Sequence, residues 1–421
     1  MATMRIGFAK TDITPPLGTE LAGYAGYRPC SGVHDPLWCK AVVLEQNGQR
    51  YALVVLDLMC VDESLQLHIA RALEQEGIAQ QRLIVSAIHT HAAPRGGILG
   101  EGPLARVNGT ELQHVDAFRD YMDHVISAAR QACAHAAQQL EAFQIRCARG
   151  DVPAVGTERH TGGPSGGSLT VLQVRTDSGK NMILYNFPCH PTVLNAANLQ
   201  VSADFAGTVG AYLDADMTMF VNGAAGDVST RFTRREASFA ECERMGALVA
   251  AQVKKLLENR AFGAPEPLKG IHTKITLRAR EIETVDRAQK RLEETTARWQ
   301  KALADGADPG TVRILKSYAE GAGVSLGFAH SMAGIHQLHL PVTAFRFCGL
   351  DFVSIPGELF SALQPKDVSI IGYANGYYRY IGGEPAYEAA FYEALAAIIA
   401  RGEGERLMSC IAQLRTQLDR I

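Results

Sequence analysis

Along the first part of the chain, short stretches of strand length are apolar throughout or alternate with polar residues. They give way to a longer stretch in which apolar positions recur every three or four residues. "MRIGFAKTDITPP" reads as a strand entering the turn-rich "LGTELAGYAGYRPCSG". "CKAVVLEQNGQRYALVVLDL" reads as two β-rich runs around Asn47-Gly48, the dipeptide that tight hairpin turns favour. "VDESLQLHIARALEQEG" has helical spacing, with Asp62 as N-cap and Gly77 as stop. "RLIVSAIH" is then a short buried strand, and residues 111–140 have the spacing of a long amphipathic helix. "LTVLQVRT", "NMILYNFPCH" and "MTMFVNGAAGD" are further strands with loops at their ends. Residues 284–318 are charged, helix-favouring and interrupted by "DGADPG", which predicts a helical hairpin inserted into the fold, as a solvated excursion or a lid. "TAFRFCGLDFVSIPG" and "KDVSIIGYAN" return to strand character, and helix closes the chain from about Ala386. No internal repeat or linker is visible. The expectation is one large α/β domain over residues 1–421, a mixed β-sheet flanked by helices, with the hairpin inside it.

Composition narrows the function. The chain of 421 residues is 47% hydrophobic and 20% charged, with a formal charge of -3. Without a basic field or a dense Lys/Arg cluster, nucleic acid and anionic membrane surfaces are excluded as partners. No apolar run approaches the roughly 18 residues of a membrane span, and the start "MATMRIGFAK" lacks an export signal, so a cytoplasmic location is expected. Nine scattered cysteines without a C-x-x-C pair are expected to be reduced. A small-molecule substrate is the partner class that remains, and a homo-oligomer is allowed.

The chemistry begins at "SAIHTHAAPRGG". Residues i and i+2 of an extended segment project to one side, so His89 and His91 can present both imidazoles to a pocket at a strand's carboxyl end. The spacing fits a metal or catalytic pair, though on spacing alone two polar histidines satisfied by neighbours are the more ordinary reading. His190 in "YNFPCHPTVLN" has the same setting, after an apolar strand and before a proline, and its loop leads to Asp204 in "SADFAG". Catalytic zinc typically takes three or four N/O protein ligands, so two histidines call for a carboxylate beside them. Glu358 in "DFVSIPGELF" follows a β-rich run and a Pro-Gly turn, though a first-turn helix glutamate would look the same. The remaining histidines have no comparable setting.

Seven short motifs in order resemble the catalytic domain of the neutral/alkaline (non-lysosomal) ceramidase family. They are "DITPP...AGYA", "HTHAAPRGG", "VGTERH", "CHPT" with "SADFAG", "NGAAGDVS", "PGE" and "GYANGYYRYIGGEPAYEAAFYE". The resemblance implies a zinc amidohydrolase whose metal ligands fall on His89, His190, Glu358 and Tyr380. It places substrate-facing residues at His91, Arg159 and Tyr392, and the motif serine at Ser229. Three motif positions depart from the family: Ala92 stands for a serine, Arg95 for a glycine and Glu158 for an asparagine. The charged segment 284–318 has no counterpart recognised in the ceramidases, whose characterised members carry a further C-terminal domain. A small soluble N-acyl compound is therefore expected in place of long-chain ceramide.

On this reading zinc makes water acidic near neutral pH and polarises the amide carbonyl. His91 would act as general base and proton donor, Tyr392 and Arg159 would stabilise the oxyanion, and Ser229 would contact the substrate. Asp227 is either a support for the site or a turn former, and Asp12 and Asp57 are structural. The same chemistry would serve an ester or lactone, and a non-catalytic zinc- or ligand-binding homologue is a further alternative. A serine hydrolase would need a G-x-S-x-G elbow, which is absent.

Overall fold

The structure, a computed structural model, describes residues 4–102, 115–389 and 391–420. It is a mixed α/β fold in which three four-stranded sheets repeat one layout. The first contains β1 (Met4–Asp12), β2 (Trp38–Gln46), β3 (Gln49–Leu56) and β4 (Leu83–Ala87). The second contains β5 (Phe143–Gly150), β6 (Leu169–Thr176), β7 (Asn181–Phe187) and β8 (Met217–Asn222). The third contains β9 (Lys269–Arg278), β10 (Gln337–Phe347), β11 (Leu350–Ser354) and β12 (Val368–Ile371). In each sheet the first three strands are antiparallel neighbours and the fourth lies parallel to the third.

The connections repeat as well. Between the second and third strands lies a short hairpin turn; Asn47-Gly48 and Cys348-Gly349 both have two residues at positive φ, which matches the right-handed twist of the strands they join. The latter turn splits "TAFRFCGLDFVSIPG" into two strands where the apolar pattern reads as one segment. Between the third and fourth strands every unit has a helical piece: α1 (Glu63–Leu73) in the first, one-turn segments in the others. Asp62 caps α1 by accepting from the Leu65 N–H at 2.9 Å, and Gly77 stops the helical segment in a left-handed conformation. After each fourth strand comes a long helix, α2 (Val115–Gln138), α3 (Phe239–Leu257) or α6 (Glu403–Leu418), which packs over the first two strands of its own sheet. Residues 111–114 of the predicted first long helix lie outside the described residues.

The connection between the first and second strands is long in all three units, and in the third it carries the helical hairpin of α4 (Val285–Ala304) and α5 (Pro309–Ser331). This hairpin runs past residue 318 because apolar residues of "AEGAGVSLGFAHS" continue helical packing; Phe328 and Met332 are buried. It leaves and re-enters the sheet at the register pair Arg278 and Gln337. The predicted closing helix from Ala386 is instead two one-turn helices, Glu384–Glu388 and Tyr392–Leu395, followed by extended chain in which Ile399 bridges Ala279, before α6 begins. The threefold repetition is topological: strand order and direction persist while residue identities do not, so no sequence repeat betrays it.

Buried side-chain amides and hydroxyls join the sheets where they converge. Asn186 donates to the Val221 and Ile370 carbonyls at 2.8 Å each, Asn222 donates to Ile88 at 3.0 Å, and Ser86 donates to Gly372 at 3.0 Å. Asn375 accepts from the Val85 N–H at 2.8 Å. No described helix is long and apolar enough to cross a membrane. All nine cysteines are free.

Candidate metal centre

The parallel ends of the three sheets meet at one pole, and each unit delivers side chains there. His89 follows β4, His190 follows β7, and Glu358 follows β11. The Nε2 atoms of His89 and His91 are 3.4 Å apart, and Glu358 Oε2 lies 3.1 Å from His190 Nε2 and 3.5 Å from His89 Nε2. Ligands at about 2.0–2.1 Å from a tetrahedral zinc are roughly 3.3 Å from one another. The observed spacing therefore fits donors arranged around one ion. One ring nitrogen from each of His89, His91 and His190 falls within a 4.8 Å span.

The tautomers agree with this. His89 Nδ1 is 2.6 Å from the Met59 carbonyl and His190 Nδ1 is 2.7 Å from the Ala225 carbonyl. A carbonyl can only accept, so both Nδ1 atoms carry the proton and both Nε2 lone pairs face the centre. Burial holds both imidazoles neutral; His89 is pushed down to about 3 despite the nearby Glu358 charge, and His190 is also lowered. His190 Nε2 and Glu358 Oε2 are buried without a hydrogen bond, which a cation between them would remedy. Glu358 Oε1 accepts from the Tyr377 hydroxyl at 2.5 Å.

His91 differs from its two neighbours. Its Nδ1 is buried with no hydrogen bond, so no carbonyl fixes its tautomer. Its ring is instead held by shape: Tyr24 meets it edge-on at 4.9 Å, and at Gly23 (φ 92°) any Cβ would collide with the imidazole.

The other predicted residues lie around this group. Tyr380 pairs with Glu358 across a two-residue parallel ribbon and faces Tyr392, ring centres 6.3 Å apart. Ser229 is buried, its backbone bridged to His190, and none of the described residues hydrogen-bonds its hydroxyl. Arg159 donates to the Gly226 carbonyl and to Glu393, each at 3.3 Å, and its Nε is unpartnered. Burial opposes its charge, but Tyr380, Glu393 and Glu358 more than reverse that, so the guanidinium is held protonated more firmly than usual. Asp227 accepts from the Ser361 N–H at 2.7 Å and from its hydroxyl at 3.1 Å, tying down the segment after Glu358. Asp204 accepts from the Val193 and Leu194 N–H groups and anchors the loop after His190. Asp12 and Asp57 accept from Thr14 and Trp38 and are turn and strand supports. Glu158 bonds within its own loop, to the His160 and Thr161 N–H groups.

Three residues escaped the sequence reading. Tyr373 stacks on His89, centroids 4.1 Å apart, and its buried hydroxyl has no partner. Tyr377 holds Glu358. Glu393 bridges Arg159 and His160, the latter at 3.2 Å and stacked on Phe391. The signals were present in the tyrosine-rich loop and in the acid after Tyr392, but only the fold shows which face the centre. His89, Tyr373, Asn375 and Arg379 all adopt positive φ, a local strain of about 1–3 kcal/mol per residue that the surrounding packing must sustain.

Known proteins are similar to this chain in sequence and in fold. The family described as "Neutral/alkaline non-lysosomal ceramidase, N-terminal" matches residues 4–251. Neutral ceramidase 2 of Arabidopsis thaliana is 26% identical over 254 residues, 55% of this chain and 32% of that protein. Neutral ceramidase 1 of the same plant is 23% identical over 353 residues, 78% of this chain and 43% of that protein. The chain thus spans less than half the length of these relatives. The crystal structure of neutral ceramidase from Pseudomonas aeruginosa superposes with a TM-score of 0.74 at 17% identity, over all of this chain and 75% of that one. A structure described as ceramidase complexed with C2 gives 0.67 at 17% identity, over 95% and 73%. At such identity the likeness establishes the fold.

Proposed function

The chain belongs to the neutral/alkaline non-lysosomal ceramidase family, and from that premise we propose that it is a zinc-dependent amidohydrolase acting on a small N-acyl compound. The observation that carries this reading is the convergence of unsatisfied donors: His190 Nε2 and Glu358 Oε2, with His89 Nε2, at 3.1–3.5 Å separations in a buried pocket. His89, His190 and Glu358 would hold the metal, with Tyr380 completing the set beside Glu358. Zinc bound there supplies Lewis-acid polarisation of the amide carbonyl and water acidic enough to lose a proton near neutral pH.

The chain's own residues do the rest. His91 takes the proton of the attacking water and returns it to the leaving amine; its free Nδ1 supports this role over that of a clamped ligand. Arg159, fixed by Glu393, and Tyr392 donate to the developing oxyanion. Ser229 contacts the substrate, and the lack of a base on its hydroxyl disfavours a serine nucleophile.

The test pairs zinc content with hydrolysis of matched N-acyl amides and esters sharing one acyl group, with and without chelator. About one zinc per chain and chelator-sensitive amide cleavage are expected. Ester cleavage alone would move the assignment to an esterase, and zinc-free protein with full activity would remove the metal from the mechanism.

A further inference from the structure

At the pole away from the metal centre the three sheets do not close on one another. Their facing surfaces enclose a cavity of about 470 Å³, within the roughly 300–1,000 Å³ of small-molecule sites. The strand alternation explains it. On β2 Ala41 and Val43 are fully buried, whereas Val42 and Leu44 point to the cavity. Leu53, Leu184 and Phe345 also face it and keep partial exposure, and Phe345 stacks on Phe352 at 5.0 Å. Apolar side chains of three different sheets thus line one space without filling it, where interiors are otherwise close-packed.

The position is set by strand direction. Gln49 and Met182 lie at the starts of β3 and β7 and Arg82 just before β4, so the mouth is at the ends of the sheets opposite His89 and His190. Asn186 lines the inner end, its amide nitrogen donating to both the Val221 and Ile370 carbonyls. That polar tie separates the cavity from the metal pole.

The mouth is not apolar. The Arg82 guanidinium lines it, stacked over Tyr51 at 5.7 Å, and makes no ion pair or hydrogen bond among the described residues. Gln49 and Gln81 stand beside it. An apolar chamber with one uncompensated cation at its entrance complements an amphipathic anion, whose carboxylate the guanidinium can hold through two parallel hydrogen bonds. We propose that this cavity is a binding site for an aliphatic carboxylate, its chain between the three sheets and its headgroup on Arg82. The inference is independent of the metal centre. The ligand class is nevertheless that of the acid an N-acyl hydrolase releases, so the cavity could retain product away from the reacting pole.

Calorimetric titration of the full chain with decanoate and 1-decanol tests it. Saturable binding of one decanoate per chain is expected. Leu184→Trp, which fills the chamber, should abolish binding of both probes, and Val42→Phe serves where that variant fails to give a native unfolding transition. Arg82→Gln should weaken decanoate at least about tenfold and leave 1-decanol unchanged. His190→Ala should bind decanoate as the parent does. Absence of saturable binding, or undiminished binding in the filled variants, overturns the site. Equal decanoate affinity in Arg82→Gln overturns the carboxylate assignment. Loss in His190→Ala with retention in Leu184→Trp would put the acid at the metal pole and likewise overturn the proposal.

Discussion

The first two four-stranded units and the third share one topology but bring different chemistry to the centre. Each of the first two supplies an imidazole whose Nδ1 is tied to a backbone carbonyl. The third supplies a carboxylate and a group of tyrosines, and carries the longest connection, residues 279–336. The family match ends at residue 251, before the third unit begins, while the fold likeness extends over the whole chain. One backbone layout thus carries imidazole donors in two units and a carboxylate with tyrosines in the third. Glu358 leaves its strand through a Pro-Gly turn in which a Cβ at Gly357 would strike the Arg379 carbonyl.

The strongest way to break this comparison is to remove one donor from each side of it. His190→Ala and Glu358→Gln should both lose zinc, by elemental analysis, and at least about 10⁴ in kcat/KM. A Glu358→Gln protein that keeps zinc and activity would make the third unit a bystander. His91→Ala should keep the metal and lose about 10²–10⁴ in kcat, separating the clamped imidazoles from the unclamped one. Loss of zinc in that variant would make His91 a ligand. Tyr373→Phe should lower kcat about tenfold while raising the melting temperature, because the change deletes a buried hydroxyl without a partner. A fall in both would mean that the hydroxyl is satisfied in the folded protein.

Glu393 tests the third unit through pH. Burial raises its pKa, but His160, whose Nε2 lies 3.2 Å from Oε2, and the charge of Arg159 win, and the carboxyl is held down at about 2 against an ordinary 4.5. A depressed folded pKa stabilises above the unfolded value and is lost as pH falls through the folded one. The gap in unfolding free energy between parent and Glu393→Gln should therefore be roughly 3 kcal/mol above pH 5 and close toward pH 2. A gap independent of pH would detach Glu393 from Arg159. The smallest effect is expected for Ser229→Ala, less than about tenfold in kcat/KM; complete loss with zinc and fold intact would restore the nucleophile.

Local features were legible in the sequence and long-range ones were not. The Asn47-Gly48 turn, the Asp62 cap and the strands leading to His89 and His190 depend on neighbouring residues, so pattern alone carries them. The Cys348-Gly349 turn was hidden because cysteine is an unusual occupant of a left-handed position. Tyr373 and Glu393 become informative only when β12 and the Tyr392–Leu395 turn are brought against the first two units. The repeated layout is one of strand order and direction, which many residue choices satisfy.

The register pair Arg278 and Gln337 has a consequence for how this protein can change. Paired antiparallel residues have Cα atoms only about 4.5–5.5 Å apart, so the whole α4–α5 hairpin is attached through one narrow neck. Lengthening the turn between its two helices costs little in closure entropy, whereas removing the whole hairpin would uncover Phe328 and Met332 and take α5 off the Tyr392–Leu395 turn. The outer turn of the hairpin is thus where the third unit can be rebuilt by recombination or by design, while its inner end stays fixed against the core and Tyr392.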